Sequence, residues 1–235
     1  VKTKCHYTDT SATQNTLKCE LITYYQFFLI NSSVKCQEVN KYCLLILLNF
    51  FPLTSVFCQG CFSDAFMRVA QLENAGVKFP ERNTIVKEDL LGCKAPDFAV
   101  KTIKGESISL EKLRGKVVII NFWFTSCAPC IAEMPALNRL VEEFNGSDVV
   151  FIAFARDDVN ELTYFLQKRP FNFNIVASAH DMAKSYCIDL FGWPTTIVVD
   201  KSGVVRKITS GAFTDERAET QMFDALYPVI NNYLN

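Results

Sequence analysis

Apolar residues along this chain follow three rhythms, and each predicts a different element. From 117 to 124 the sequence reads Val-Val-Ile-Ile-Asn-Phe-Trp-Phe, an almost unbroken run of β-branched and aromatic side chains. A run of this kind predicts a strand buried on both faces, as in a parallel sheet. Val149–Phe154 repeats the pattern, and Phe173–Val176 is a third, shorter candidate. Alternation over Asp97–Ile103 meets Lys104-Gly105 and predicts a hairpin with Ser107–Leu110. Thr195–Val199 and Val204–Thr209 flank the turn Asp200-Lys201-Ser202-Gly203 and predict a second hairpin. Spacing by three and four marks helices: Phe62, Phe66, Val69 and Leu72 over 61–75, then Ile131, Met134, Leu137, Leu140, Val141 and Phe144 up to Gly146. Met222, Phe223, Leu226 and Ile230 mark a closing helix from about Asp215, and Asp181–Tyr186 a short one. Asp158 with Glu161 forms a capping box that opens a helix through Lys168. Residues 77–92 show no period and read as an irregular connector. Strand, helix, strand, an inserted strand–helix at 171–187, an antiparallel hairpin and a final helix together predict an α/β fold with a mixed central sheet flanked by helices.

The front of the chain is another kind of sequence. Five of the ten cysteines lie in the first 58 of 235 residues, and residues 1–38 are polar and aperiodic. The plan of a secretory signal follows: Asn40-Lys41-Tyr42, an apolar run from Cys43 to Phe51, and a small-residue exit at Cys58-Gln59-Gly60. Residues 39–60 are therefore expected to be a signal peptide, with a membrane anchor as the alternative, and a lipid on Cys58 or Cys61 as a further form of retention. With no methionine before Met67, Val39 can be a translated start, which makes 1–38 a non-native leader; otherwise it is a disordered tail. The remainder divides into a helical extension and connector at 61–92 and a domain at 93–235. The formal net charge of -1 leaves no basic footprint for nucleic acid.

Candidate chemistry concentrates at Cys127-Ala128-Pro129-Cys130, where the longest apolar strand turns into a helix. There the unpaired backbone N–H groups and the helix dipole stabilise a thiolate on Cys127. One helical turn brings Cys130 back beside it, and Pro129 is tolerated because first-turn N–H groups have no intrahelical partner to lose. CxxC at such a junction is the sequence form of a thioredoxin-like redox centre. No second CxxC or histidine pair completes a zinc site, and Ile131 stands where a c-type haem site needs His, so neither metal nor cofactor is expected. Pro194 enters a central strand, where proline removes a ladder donor. A cis Trp193–Pro194 bond would turn the backbone of Trp193 toward the dithiol to pair with an extended substrate.

Residues 92–235 resemble the TlpA/ResA-like branch of the thioredoxin superfamily, the extracytoplasmic thiol-disulfide oxidoreductases. The stretches that carry the resemblance are Ala95-Pro96-Asp97-Phe98, Leu113-Arg114-Gly115-Lys116-Val117-Val118, Asn121-Phe122-Trp123, Cys127-Ala128-Pro129-Cys130, Glu133-Met134-Pro135 and Pro194-Thr195-Thr196. The resemblance implies a thioredoxin-like fold and a protein disulfide reductase. Its implied partners are disulfide-bearing exported proteins such as apocytochromes, and a membrane or periplasmic thiol donor that re-reduces it. It also implies that Glu133, one turn beyond Cys130, manages protons for the dithiol, since Asn121 stands where cytosolic thioredoxins carry a buried Asp and cannot take a proton. Two departures are Ser126, where many relatives have Trp, and the bulky Trp193, which could restore an apolar lip over the disulfide. Cys187 reads as a buried apolar residue, and Cys61 and Cys93 as either a disulfide or two single thiols; Arg156-Asp157-Asp158, at the end of a strand and close to the active edge by topology, reads as a solvated loop, with a part in partner binding as the alternative.

Three rivals remain. Ala95-Pro96-Asp97-Phe98 also opens peroxiredoxins, but those place Thr three residues before the peroxidatic Cys, and Thr125 is two before Cys127. A copper-chaperone-type assembly module wants CxxxC and a distant His. A non-catalytic adaptor would have no need of both cysteines and Pro194.

Overall fold

The computed structural model describes residues 61–235. The proposed leader, signal peptide or anchor at 1–60, with Cys58, lies outside them. In chain order the elements are α1 (Cys61–Asn74), α2 (Glu81–Asp89), β1 (Ala99–Lys101), β2 (Ser107–Ser109), β3 (Val117–Trp123), α3 (Ala128–Glu143), β4 (Val149–Ala155), α4 (Val159–Lys168), β5 (Asn174–Val176), α5 (His180–Ser185), α6 (Ile188–Phe191), β6 (Thr195–Val199), β7 (Val205–Ser210) and α7 (Arg217–Leu234). The main sheet has the order β5-β4-β3-β6-β7; β3, β4 and β5 run parallel, whereas β6 is antiparallel to β3 and β7 to β6. β1 and β2 form a separate antiparallel hairpin. This is the mixed sheet flanked by helices that the order of patterns predicts.

β3 lies at the centre with every residue buried, and its alternation feeds two cores. Val118, Ile120 and Phe122 join Ile152, Phe154 and Ile197 on one face, under α1, α2, α5 and α6. Val117, Ile119 and Trp123 join Phe151, Ala153 and Val198 on the other, under α3, α4 and α7. The capping box forms as predicted: Asp158 Oδ1 accepts from the Asn160 and Glu161 N–H groups, and the Asp158 N–H donates to Glu161. In the β6–β7 turn, Gly203 has φ +75° and lies against the Arg114 guanidinium, so any Cβ there would overlap it.

Two readings of the first thirty described residues need correction. Residues 77–92 are not an irregular connector, because they contain α2, which follows a cis Phe79–Pro80 bond. Its inward stripe is Asn83, Val86 and Leu90, and the polar member hides the helical period. The buried Asn83 is accommodated because its Nδ2 donates to the Leu190 carbonyl oxygen at 2.6 Å. In α1, Phe62 and Leu72 are buried as predicted, but Ala65 takes the third inward place and Phe66 is 47% exposed. The open question over Cys61 and Cys93 is answered by a disulfide between them, with a Cα–Cα distance of 6.0 Å.

That bond closes a sequence separation of 32 residues and pins α1 to the domain. A cross-link over such a loop contributes about 3–4 kcal/mol, chiefly by restricting the unfolded chain. The double variant Cys61→Ala/Cys93→Ala is expected to unfold in urea with its free energy lowered by about that amount. Unfolding transitions of the two proteins followed by far-ultraviolet circular dichroism check this.

Candidate active site

The carboxyl end of β3 delivers Cys127 to the N-terminus of α3. Cys127 is the N-cap residue in extended conformation, and its sulfur accepts from the Cys130 N–H at 3.3 Å. Pro129 sits in the first turn, where no intrahelical bond is lost. The two cysteines are joined as a disulfide with Cα atoms 5.2 Å apart, and both are nearly covered, Cys127 at 5% and Cys130 at 1% exposure. Ser126 and Ala128, on either side of Cys127, are exposed.

The loop that carries the disulfide is held from the neighbouring strand. The Thr125 N–H donates to Asp157 Oδ2 at 2.7 Å and its hydroxyl to Asp157 Oδ1 at 3.0 Å. The Arg156 guanidinium stacks 3.9 Å from the Phe124 ring centre. Arg156-Asp157-Asp158 is thus not a plain solvated loop: Arg156 and Asp157 brace the approach to Cys127, and Asp158 caps α4. Parallel pairing of β3 with β4, with Trp123 opposite Ala155, places these residues side by side, which no local sequence signal announces.

Trp193–Pro194 is cis. Trp193 is half-buried, edge-on to Phe122 at 6.4 Å and to Phe124 at 5.7 Å, and packs against the cluster that contains Cys127 and Cys130. The Pro194 carbonyl oxygen accepts from the Gly211 N–H at 2.9 Å, which ties the segment to the end of β7.

Glu133 is fully buried, against the ordinary expectation for a glutamate on a helix. It lies on the same face of α3 as Cys130, one turn on. Its Oε1 accepts from Asn121 Nδ2 at 2.9 Å, and the same nitrogen donates to Thr196 Oγ1 at 2.9 Å. Oε2 has no partner among the described residues. Burial pushes the Glu133 carboxyl up to about 8, partly opposed by the Asn121 hydrogen bond, which favours the ionised form. A carboxyl held at such a value can exchange a proton a little above neutral pH, and the arrangement can support proton transfer beside a disulfide. Cys187, by contrast, is buried with its thiol donating to the Phe62 carbonyl at 3.1 Å, and burial pushes its thiol up to about 11. It is an inert thiol.

Known proteins share this architecture. The AhpC/TSA family model matches residues 91–208. The thioredoxin-like protein YneN of Bacillus subtilis is 34% identical over 134 residues, covering 56% of this chain and 78% of that protein. The thiol-disulfide oxidoreductase ResA of Geobacillus thermodenitrificans is 33% identical over 131 residues, covering 54% and 72% respectively. Among solved structures, a thiol:disulfide interchange protein DsbE of Chlorobium tepidum is similar at 25% identity with a TM-score of 0.55, over 62% of this chain and 98% of that one.

The raised Glu133 affinity has a thermodynamic consequence with a defined sign. In the unfolded chain the carboxyl titrates near 4.5 and in the folded protein near 8, so between these values the folded form holds the extra proton. The contribution of Glu133 to stability is then fully present below pH 4.5 and is lost as pH rises toward 8. Glu133→Gln is expected to flatten this fall. Urea midpoints of both proteins measured across that range check it.

Proposed function

We propose a reaction on one premise: the chain belongs to the AhpC/TSA family, and it is a thiol-disulfide oxidoreductase of the thioredoxin superfamily. Its redox centre is the pair Cys127–Cys130, and its work is the reduction of disulfides in other proteins outside the cytoplasm. The observation that carries this is the Cys127–Cys130 disulfide at the N-terminus of α3, with a buried carboxyl one turn behind it.

In the reduced protein the Cys127 thiolate attacks one sulfur of a substrate disulfide. The Cys127–substrate bond forms, the substrate S–S bond breaks, and the departing sulfur leaves as a thiolate that takes a proton. Cys130, deprotonated, then attacks Cys127 of this mixed disulfide; the second substrate sulfur departs and is protonated, and Cys127–Cys130 is left oxidised. Two electrons pass from the dithiol to the substrate. Glu133 accepts the proton of Cys130 and returns it when the pair is reduced again. The helix N-terminus favours the Cys127 thiolate, and Thr125 and Asp157 hold its loop in place. Cis-Pro194 and Trp193 flank the site as the surface along which an extended segment of substrate lies. Potentials in this fold span about -270 to about -120 mV, and for two electrons about 30 mV corresponds to 1.4 kcal/mol, so small changes around Ala128-Pro129 tune the direction.

Several features support an extracytoplasmic setting. The Cys61–Cys93 disulfide suits an oxidising compartment. The apolar run Cys43–Phe51 suits export or anchoring through residues 39–60. A membrane or periplasmic thiol donor would then re-reduce the pair, and the substrates would be exported disulfide-bearing proteins such as those of cytochrome c biogenesis. Residues 93–235 act as the thioredoxin-like domain, with 61–92 as its tethered extension. A peroxidase reading is weakened because the Thr125 hydroxyl is committed to Asp157.

A redox titration with thiol alkylation and mass spectrometry is expected to show one two-electron transition that modifies Cys127 and Cys130 together. It should disappear in Cys127→Ser and in Cys130→Ser, and only Cys130→Ser should accumulate a mixed disulfide with substrate. Peroxide consumption without any disulfide substrate would instead support the peroxidase.

A further inference from the structure

Asn121 interrupts the apolar run of β3, and it is 1% exposed on the face covered by α3. Its Nδ2 reaches two oxygens on two other elements: Glu133 Oε1 on α3 and Thr196 Oγ1 on β6, each at 2.9 Å. Strand register sets Asn121 directly opposite Thr196, two residues beyond cis-Pro194. One amide thus joins the central strand, the carboxyl behind the dithiol and the strand that follows the cis proline.

We propose that Asn121, with its amide anchored by Thr196, is a positioning residue that sets the proton affinity of Glu133. This rests on the reading of Glu133 as the proton carrier of the dithiol. An amide donates two hydrogen bonds and cannot ionise, so it adds no charge of its own to the core. A donor aimed at a carboxyl favours the carboxylate over the acid, because bonds to an ionised acceptor are the stronger ones. Burial acts in the opposite direction, and no ionised side chain among the described residues contributes to the balance. The core on this side of the sheet holds Cys127 and Cys130 from α3 and its start, Trp123 from β3, and the apolar Met222, Leu226 and Ile230 of α7, with Thr196 of β6 bonded to Asn121. Among the described residues, the Asn121 N–H is the one hydrogen-bond donor to the Glu133 carboxyl. Thr196 takes the second N–H of the same nitrogen, which keeps that nitrogen, and not the amide oxygen, turned toward the carboxyl.

The test follows the Glu133 carboxyl carbon by 13C NMR through a pH titration of the disulfide form, with Glu133→Gln assigning the resonance. The pH profile of disulfide reduction is recorded in parallel. Asn121→Leu is expected to move the midpoint upward by about one to two pH units, the equivalent of one hydrogen bond to a charged group. The limb of the rate profile that depends on Glu133 should move with it. Thr196→Val should shift both in the same direction, and Thr196→Ser, which keeps the hydroxyl, should return them to the wild-type position. If Asn121→Leu does not fold, the Thr196 pair carries the test alone. A midpoint left in place by either Asn121→Leu or Thr196→Val, once folded, overturns the proposal while the Glu133 reading stands. A wild-type rate profile that Glu133→Gln leaves unchanged overturns that reading, and the proposal with it.

Discussion

β3 has no exposed residue between Val117 and Trp123, and most of the molecule answers to that burial. A strand covered on both faces needs a packed layer on each side. The layer of α3 and α7 closes one face over Val117, Ile119 and Trp123, and the layer that includes α1, α5 and α6 closes the other over Val118, Ile120 and Phe122. Parallel pairing with β4 requires a crossover, and α3 is that crossover. The carboxyl end of β3 is therefore where the chain must leave the core and begin a helix. It is also where the N-terminal end of a helix dipole meets a half-buried aromatic surface. A cysteine pair at that point gains a helix N-terminus for its thiolate and apolar cover for its disulfide.

Polar atoms inside such a core need partners, because a buried polar group without one costs about 1–3 kcal/mol. Asn121 and Thr196 meet this requirement by pairing across β3 and β6, and among the described residues Glu133 meets it on one oxygen only. The incomplete partnering of Glu133 is what separates it from the structural carboxylates. Asp157 and Asp200 accept several hydrogen bonds each and hold loops in place. Glu133 is the most deeply buried of the three, and that burial pushes its carboxyl up to about 8.

The two disulfides are chemically alike and physically different. Cys61–Cys93 spans 32 positions and restricts the unfolded chain strongly, so it acts as a staple for α1. Cys127–Cys130 spans three, and closing so short a loop removes little chain entropy. Opening it costs the fold little, which suits the redox role proposed for it. Cys61, partly buried at the start of α1, and the buried Cys93 pack with the core on the α1 side of the sheet, whereas the buried Cys127 lies between the exposed Ser126 and Ala128.

The strands, the capped helix at Asp158, the CxxC junction and the mixed α/β order were all legible in the sequence, because each is written in a local period or a local turn. Other features were not. The helix Glu81–Asp89 depends on an asparagine whose partner, the Leu190 carbonyl, is 107 positions away. Long separations in sequence also lie between Asp157 and Thr125 and between Thr196 and Asn121, 32 and 75 positions. Spacing put Glu133 near Cys130, but a glutamate on a helix reads the same whether it faces solvent or the core. Its burial, and with it the raised proton affinity, appears only when β3, β6 and α7 are packed around it. Local pattern determined which elements form and where the sulfurs sit. Tertiary packing alone decided the dielectric and the hydrogen-bond partners around them, because those come from residues that no short window of sequence contains.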